Sequence, residues 1–166
     1  MALIDLDVEP IQSPINMIEQ MATSNDWAFD RTAEDEITIG MGGQWADYHI
    51  SMSWMPEIEA LHVACSFDMK VPAVRMAETL RLLALINEQL WIGHFDVWEE
   101  RGILIYRHAL LLTGGASASP AQGEALLATA VESCERYFQA FQFAIWAGKT
   151  AREALDFTLF ETAGEA

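Results

Sequence analysis

The sequence predicts an α+β domain, a single five-stranded antiparallel sheet with helices packed mainly on one face. Three observations carry this. Between Glu36 and Phe67, three stretches alternate apolar and polar residues, the period of a strand covered on one side. From Ala73 to Leu90, and from Pro120 to about Ala147, apolar residues recur at helical spacing. Turn signals at Gly42-Gly43, Pro56, Gly93 and Gly102 divide the segments. The predicted order is α-β-β-β-α-β-β-α plus a short C-terminal helix, with residues 11–148 as one domain and 149–166 as that helix and tail.

The first helix starts at Ser13-Pro14, a hydroxyl acceptor followed by proline at the first helical position. Ile15, Ile18 and Met21 form its stripe, and an acidic arm of Asp5, Asp7 and Glu9 precedes it. Trp27 to Thr32 starts or precedes the first of three strands. In these, Ile37, Ile39 and Met41 share a face, as do Tyr48, Ile50, Met52 and Trp54, and then Leu61, Val63, Cys65 and Phe67.

The central helix, Ala73 to Leu90, places Met76, Ala77, Leu80, Leu83, Ala84, Ile86, Leu90 and Trp91 on one broad face, the expected core side. Asn87 falls in the middle of that face. It either bonds backbone groups where the helix hands over to Gly93, or it binds a ligand. Val74, Leu82 and Leu85 fall among the charges, as scattered surface residues or as a subunit contact.

His94 to Trp98 and Ile103 to Leu112 form a hairpin across Glu99-Glu100-Arg101-Gly102. The second strand is apolar on both sides, so it lies inside the sheet or is covered on both faces. Ser119-Pro120-Ala121-Gln122 reads as a capping box opening the third helix, and Thr150-Ala151-Arg152-Glu153 as another opening the last. Leu155, Phe157, Leu159 and Phe160 share no face, so the last helix is expected to dock weakly or to meet Phe143 and Trp146.

The chain has 166 residues, 52% of them hydrophobic, with 25 acidic against 9 basic residues and a formal net charge of -16. That length gives one domain with a proper core. The charge opposes binding to nucleic acid or anionic membranes and suits a basic partner. No window reaches the roughly 18 apolar residues of a membrane helix, and the expected location is cytoplasmic. Cys65 and Cys134 read as small core hydrophobes rather than as a disulfide.

No catalytic, metal or cofactor site is expected. The four histidines, His49, His62, His94 and His108, fall in predicted strands without ligand spacing. Asp47 and His49 share a face, but His62 and Cys65 point to opposite faces. No Gly-x-Ser-x-Gly elbow occurs, and Gly40-Met-Gly-Gly43 precedes a strand rather than a helix. Six tryptophans and eight methionines are more informative: Met41, Trp45, Met52, Trp54 and Met55 crowd the first meander, where the core of a half-covered sheet is the default place for them, while methionine also suits adaptable binding surfaces and tryptophan interfaces, so that some of the set can form a groove for a partner segment.

At Lys70-x-Pro72, Leu85-Ile86-Asn87, Trp91-x-Gly93-x-Phe95 and Gly102-x-Leu104-x-Tyr106-Arg107 the chain resembles the YbjN family of bacterial sensory transduction regulators. The likeness of layout covers about Ile11 to Ala147. The family is similar in fold to the type III secretion chaperones, acidic dimeric α+β proteins that hold extended partner segments on apolar surface. The resemblance implies a non-enzymatic, chaperone-like or adaptor protein with a regulatory role, working as a homodimer on a protein or peptide segment. It transfers no catalytic residue. An extra helix after Gly148 departs from the family layout, where it can cover a surface the family leaves open.

The expected partner contacts are Trp45, Met52 and Trp54, and the expected self-association contacts are Val74, Leu82 and Leu85. Two other readings stay open: a small-molecule sensor with a pocket between sheet and helices, and an enzyme of unrecognised type on the histidine-bearing sheet face.

Overall fold

The computed structural model describes residues 13–164; the acidic arm and the first residues of the expected domain lie outside them. The elements are α1 (Ile15–Ser24), β1 (Ala28–Ala33), β2 (Glu36–Gly42), β3 (Asp47–Met55), β4 (Ala60–Lys70), α2 (Met76–Asn87), β5 (His94–Trp98), β6 (Ile103–Leu111), α3 (Pro120–Ile145) and α4 (Ala151–Gly164). Short 3₁₀ turns at Pro56–Ile58 and Ala73–Arg75 precede β4 and α2.

The strands form one sheet in the order β1-β2-β3-β4-β6-β5, every pair antiparallel. One cross-strand row shows how the core is built. Ile39 pairs with Ile50, Ile50 with Cys65, Cys65 with Tyr106 and Tyr106 with Phe95, and all five are buried. Because the strand period is two, the residues between them turn to the other face. There His49, Ser51, His62, Ala64, Ser66 and Arg107 stay half-buried or exposed. The helices cover the first face: α3 lies on β3, β4 and β6, α1 on β1, β2 and β3, and α2 against β5.

Local signals set most element ends. The Ser119 hydroxyl accepts the Gln122 N–H while the Gln122 side chain accepts the Ser119 N–H, the expected reciprocal cap of α3. Thr150 and Glu153 repeat that exchange at α4. At α1, Pro14 occupies the cap itself and the Ser13 hydroxyl accepts the Ile15 N–H, so the helix starts one residue later than expected. Gly102 turns the β5–β6 hairpin at φ +65, a conformation that glycine adopts without strain. Gly93 has a second reason besides its φ of +71: a Cβ there would sit 2.2 Å from the Tyr106 hydroxyl, which donates to the Ile92 carbonyl at 2.8 Å.

The sheet has six strands rather than five. The added one is β1, an edge strand whose side chains are nearly all exposed. Without a buried row it carries no alternation for the sequence to display. β6 lies between β4 and β5, inside the sheet, as its two apolar sides allow.

The second correction concerns α2. Its helix ends at Asn87, not Leu90, and its buried residues are Thr79, Leu82, Leu83 and Ile86. Ala77, Leu80, Ala84 and Trp91, expected in the core, face solvent. The apolar residues extend around too much of this helix for periodicity to decide which arc packs. The helix meets α3 and α4 as well as the sheet, and that rotates the buried arc toward Leu82. Leu83 and Ile86 are common to both arcs.

Candidate functional site

The six expected contact residues do not come together. Met52 is wholly buried and Trp54 nearly so; both point from β3 into the helix-covered core and offer no surface to a partner. Leu82 is buried as well, so it cannot meet a second copy. Leu85 is half-buried against the core. Trp45 and Val74 are exposed. Trp45 sits at the β2–β3 tip, stacked on Phe138 of α3 with ring centroids 6.3 Å apart. The Trp45 backbone N–H donates to Glu135 Oε1 at 3.4 Å, which fastens the tip to the helix.

Aromatic rings pack between the sheet and the helices. Phe67 meets Tyr48, Phe138 and Phe141, and Phe95 meets Tyr106, Tyr137 and Phe141, at centroid separations from 5.1 to 6.1 Å. Burial and the Glu135 carboxylate push the Tyr48 phenol well above its usual range. Cys65 and Cys134 lie inside this layer with sulfurs 3.7 Å apart, both as free thiols. The hydrogen bond with Cys65, and then burial, push the Cys134 thiol up. An open groove of about 270 Å³ lies elsewhere, between α1 and the 113–119 loop, lined by Ser13, Asn16, Gln20 and Leu112.

On the open sheet face, Arg107 Nε donates to His62 Nε2 at 3.3 Å, and the same guanidinium approaches Asp96 at 3.7 Å. The His62 imidazole titrates below its ordinary value, first through burial and then through Arg107, His94 and His108. It therefore stays neutral and able to accept. Among the described residues no three His, Cys, Asp or Glu side chains gather as metal ligands. No described helix is long and apolar enough to cross a membrane.

Asn87 takes the backbone role. Its amide donates to the Phe95 carbonyl at 3.0 Å and accepts the Phe95 N–H at 2.8 Å. These groups face away from β6 and would otherwise invite another strand. Asp96 accepts the next such donor, the Val97 N–H, at 2.8 Å. The β5 edge is thereby closed by side chains.

Among the described residues, exposed apolar side chains include two strips on the helices, beside others such as Met55, Ile58 and Leu111 near one end of the sheet. One follows the outward side of α2 and the loop after it, through Leu80, Trp91 and Ile92, with Trp91 fully exposed. The other crosses the α3–α4 junction, where Phe143 packs on Phe157 with ring centroids 4.3 Å apart. Trp146 and Phe160 lie one turn along from these two and are 60% and 82% exposed. The sequence had flagged the meeting of Phe143 with the last helix. It missed the α2 strip by assigning that arc to the core.

The family described as "YbjN: Putative bacterial sensory transduction regulator" matches residues 14–143, a longer stretch than the Lys70–Arg107 motifs that first suggested it. Two solved structures share the fold. YbjN from E. coli, described as "a putative transcription regulator", aligns with a TM-score of 0.53 at 9% identity, over 72% of this chain and 84% of its own. A chain of the ExsC–ExsE complex aligns with a TM-score of 0.55 at 19% identity, over 74% of this chain and 88% of its own. Identities this low show the fold alone. No curated protein matches.

Proposed function

From the premise that this chain belongs to the YbjN family, we propose that it is a non-enzymatic, chaperone-like regulatory protein that binds a segment of another protein, working in the cytoplasm as a homodimer. The observation that carries this reading is the placement of its apolar surplus. The space between sheet and helices holds a cluster of aromatic rings, while Trp146 at the cap of α3 and Phe157 and Phe160 on α4 are at the surface. Exposed aromatic side chains in a group mark interaction surfaces more often than solvent-facing chance.

The partner segment lies across the α3–α4 strip, with Trp45 as a separate contact at the hairpin tip. α4 lies beyond the stretch that the family matches, so this strip makes the partner particular to this chain. With a net charge of -16, the preferred segment is basic. The likeness to ExsC, which was solved in complex with ExsE, supports a protein partner over a metabolite. Capture of a discrete protein by the intact chain, lost when Trp146 and Phe160 are both replaced by serine, tests this. Capture of the same proteins by both chains would oppose it.

A further inference from the structure

The strip across α3 and α4 carries acids among its rings, and the backbone around it is already bonded. At the helical period, Glu153, Asp156, Phe157 and Phe160 of α4 fall within about 100° of arc, and all four are exposed. Arg152 falls outside that arc. Phe143 of α3 packs on Phe157. Trp146 lies one turn nearer the α3–α4 connection and Phe160 one turn farther from it, so the rings extend for about 9 Å, nearly two helical turns. Within α3 and α4 the peptide groups pair along their own helix. In the connection, the Trp146 and Ala147 N–H groups donate to Gln142, and the Lys149 N–H to Phe143. Arg75 takes the carbonyls of Ala144 and Lys149, and Glu78 the Ala151 N–H. A segment laid here in extended form therefore meets side chains but no ladder of donors and acceptors. Each of its peptide groups shut away from water without a partner costs about 1–3 kcal/mol. A helix bonds its own backbone and meets the strip with side chains alone.

We propose that the α3–α4 strip takes its partner segment as a basic amphipathic helix rather than as an extended chain. The apolar stripe of that helix lies along Trp146, Phe157 and Phe160. Lysine or arginine on the borders of the stripe meets Asp156 and Glu153. Charge selects this occupant: the acids share the arc with the rings, and the whole chain carries a net charge of -16, which turns away acidic helices and anionic membranes. This inference rests on the strip being the partner site, as proposed above, and adds the form that the segment takes there.

Two fluorescein-labelled synthetic peptides test it on the intact chain by fluorescence anisotropy. Both contain leucine and lysine in equal amounts over about five helical turns. One repeats leucine at i, i+3, i+4 and i+7; the other alternates leucine and lysine strictly, so the two differ in periodicity and not in charge. The helical repeat is expected to bind about tenfold tighter than the alternating peptide, and Phe160→Ser and Asp156→Lys, both at exposed positions, each to weaken it about tenfold. Equal or tighter binding of the alternating peptide, lost in Phe160→Ser, overturns the helical form and leaves the strip as the partner site. An unchanged affinity in Asp156→Lys overturns the selection by charge. Binding of neither peptide, or binding that ignores Phe160→Ser, overturns the inference and the strip together.

Discussion

Arg75 and Glu78, three residues apart at the start of α2, hold the facing ends of α3 and α4. Arg75 donates to the Ala144 carbonyl at 2.7 Å and to the Lys149 carbonyl at 2.6 Å. Glu78 accepts the Ala151 N–H at 2.8 Å. A cation thus meets the negative end of one helix dipole and an anion the positive end of the next. Between those ends the chain turns and brings Phe157 onto Phe143. Two charges on a helix of the family core therefore set the angle of a helix beyond it, and with that angle the aromatic strip.

Replacing Arg75 by alanine removes both carbonyl contacts at once. We expect a loss of about 1.5–3 kcal/mol, the range for hydrogen bonds to charged groups, measured by urea denaturation. Amide exchange should accelerate in α4 more than in β3 or β4. Equal acceleration throughout would mean that the clamp is not local.

Asn87→Leu keeps the shape and deletes the amide that closes the β5 edge. The Phe95 N–H and C=O lose their partners, at a cost of about 2 kcal/mol. The freed edge should also promote association at high concentration, read by light scattering. A variant as stable and as monodisperse as the parent would refute the edge-closing role.

Acid should weaken the fold through His62. Its folded value lies below its ordinary one, so the unfolded chain binds the proton more readily. Stability is therefore complete above the unfolded value of about 6.5, falls as pH drops through it, and levels off once the folded imidazole protonates. His108 shifts the same way through burial and His94. Arg107, His94 and His108 oppose the charge on His62, and Asp96 lies 3.7 Å from the guanidinium of Arg107. Denaturation at pH 7.5 and 5.5 should show a smaller difference for His62→Asn than for the parent. Equal differences would place the pH dependence elsewhere.

The two thiols should ignore a disulfide reagent in the folded protein and both react in denaturant. They are fully buried, and Cys134 is held protonated by its bond to Cys65 and by burial. Fast labelling of the native chain would show that the layer between β4 and α3 opens readily.

The sequence displayed whatever a local rule governs. Ser119 and Gln122 announced the α3 cap because the capping box is a contact between near neighbours. Asn87 announced its backbone role because an amide on an apolar face must find partners. β1 stayed hidden because pairing with β2 gives it backbone bonds without burying its side chains. The face of α2 was misread because Leu80 and Leu82 are equally apolar, and the choice between them belongs to α3 and α4. Met52 and Trp54 share their face with Tyr48 and Ile50, and that parity puts them in the core, the default reading of the set, rather than in a partner groove.

The central claim is that the α3–α4 strip grips a protein segment. A photo-crosslinking residue placed at Phe160 in living bacterial cells tests it most directly, with the same residue at the exposed Glu57 on the far 3₁₀ turn as control. The account predicts an adduct of one discrete protein at position 160 and none at position 57. The same diffuse adducts at both positions, or none at 160 while the chain remains folded and abundant, would contradict it.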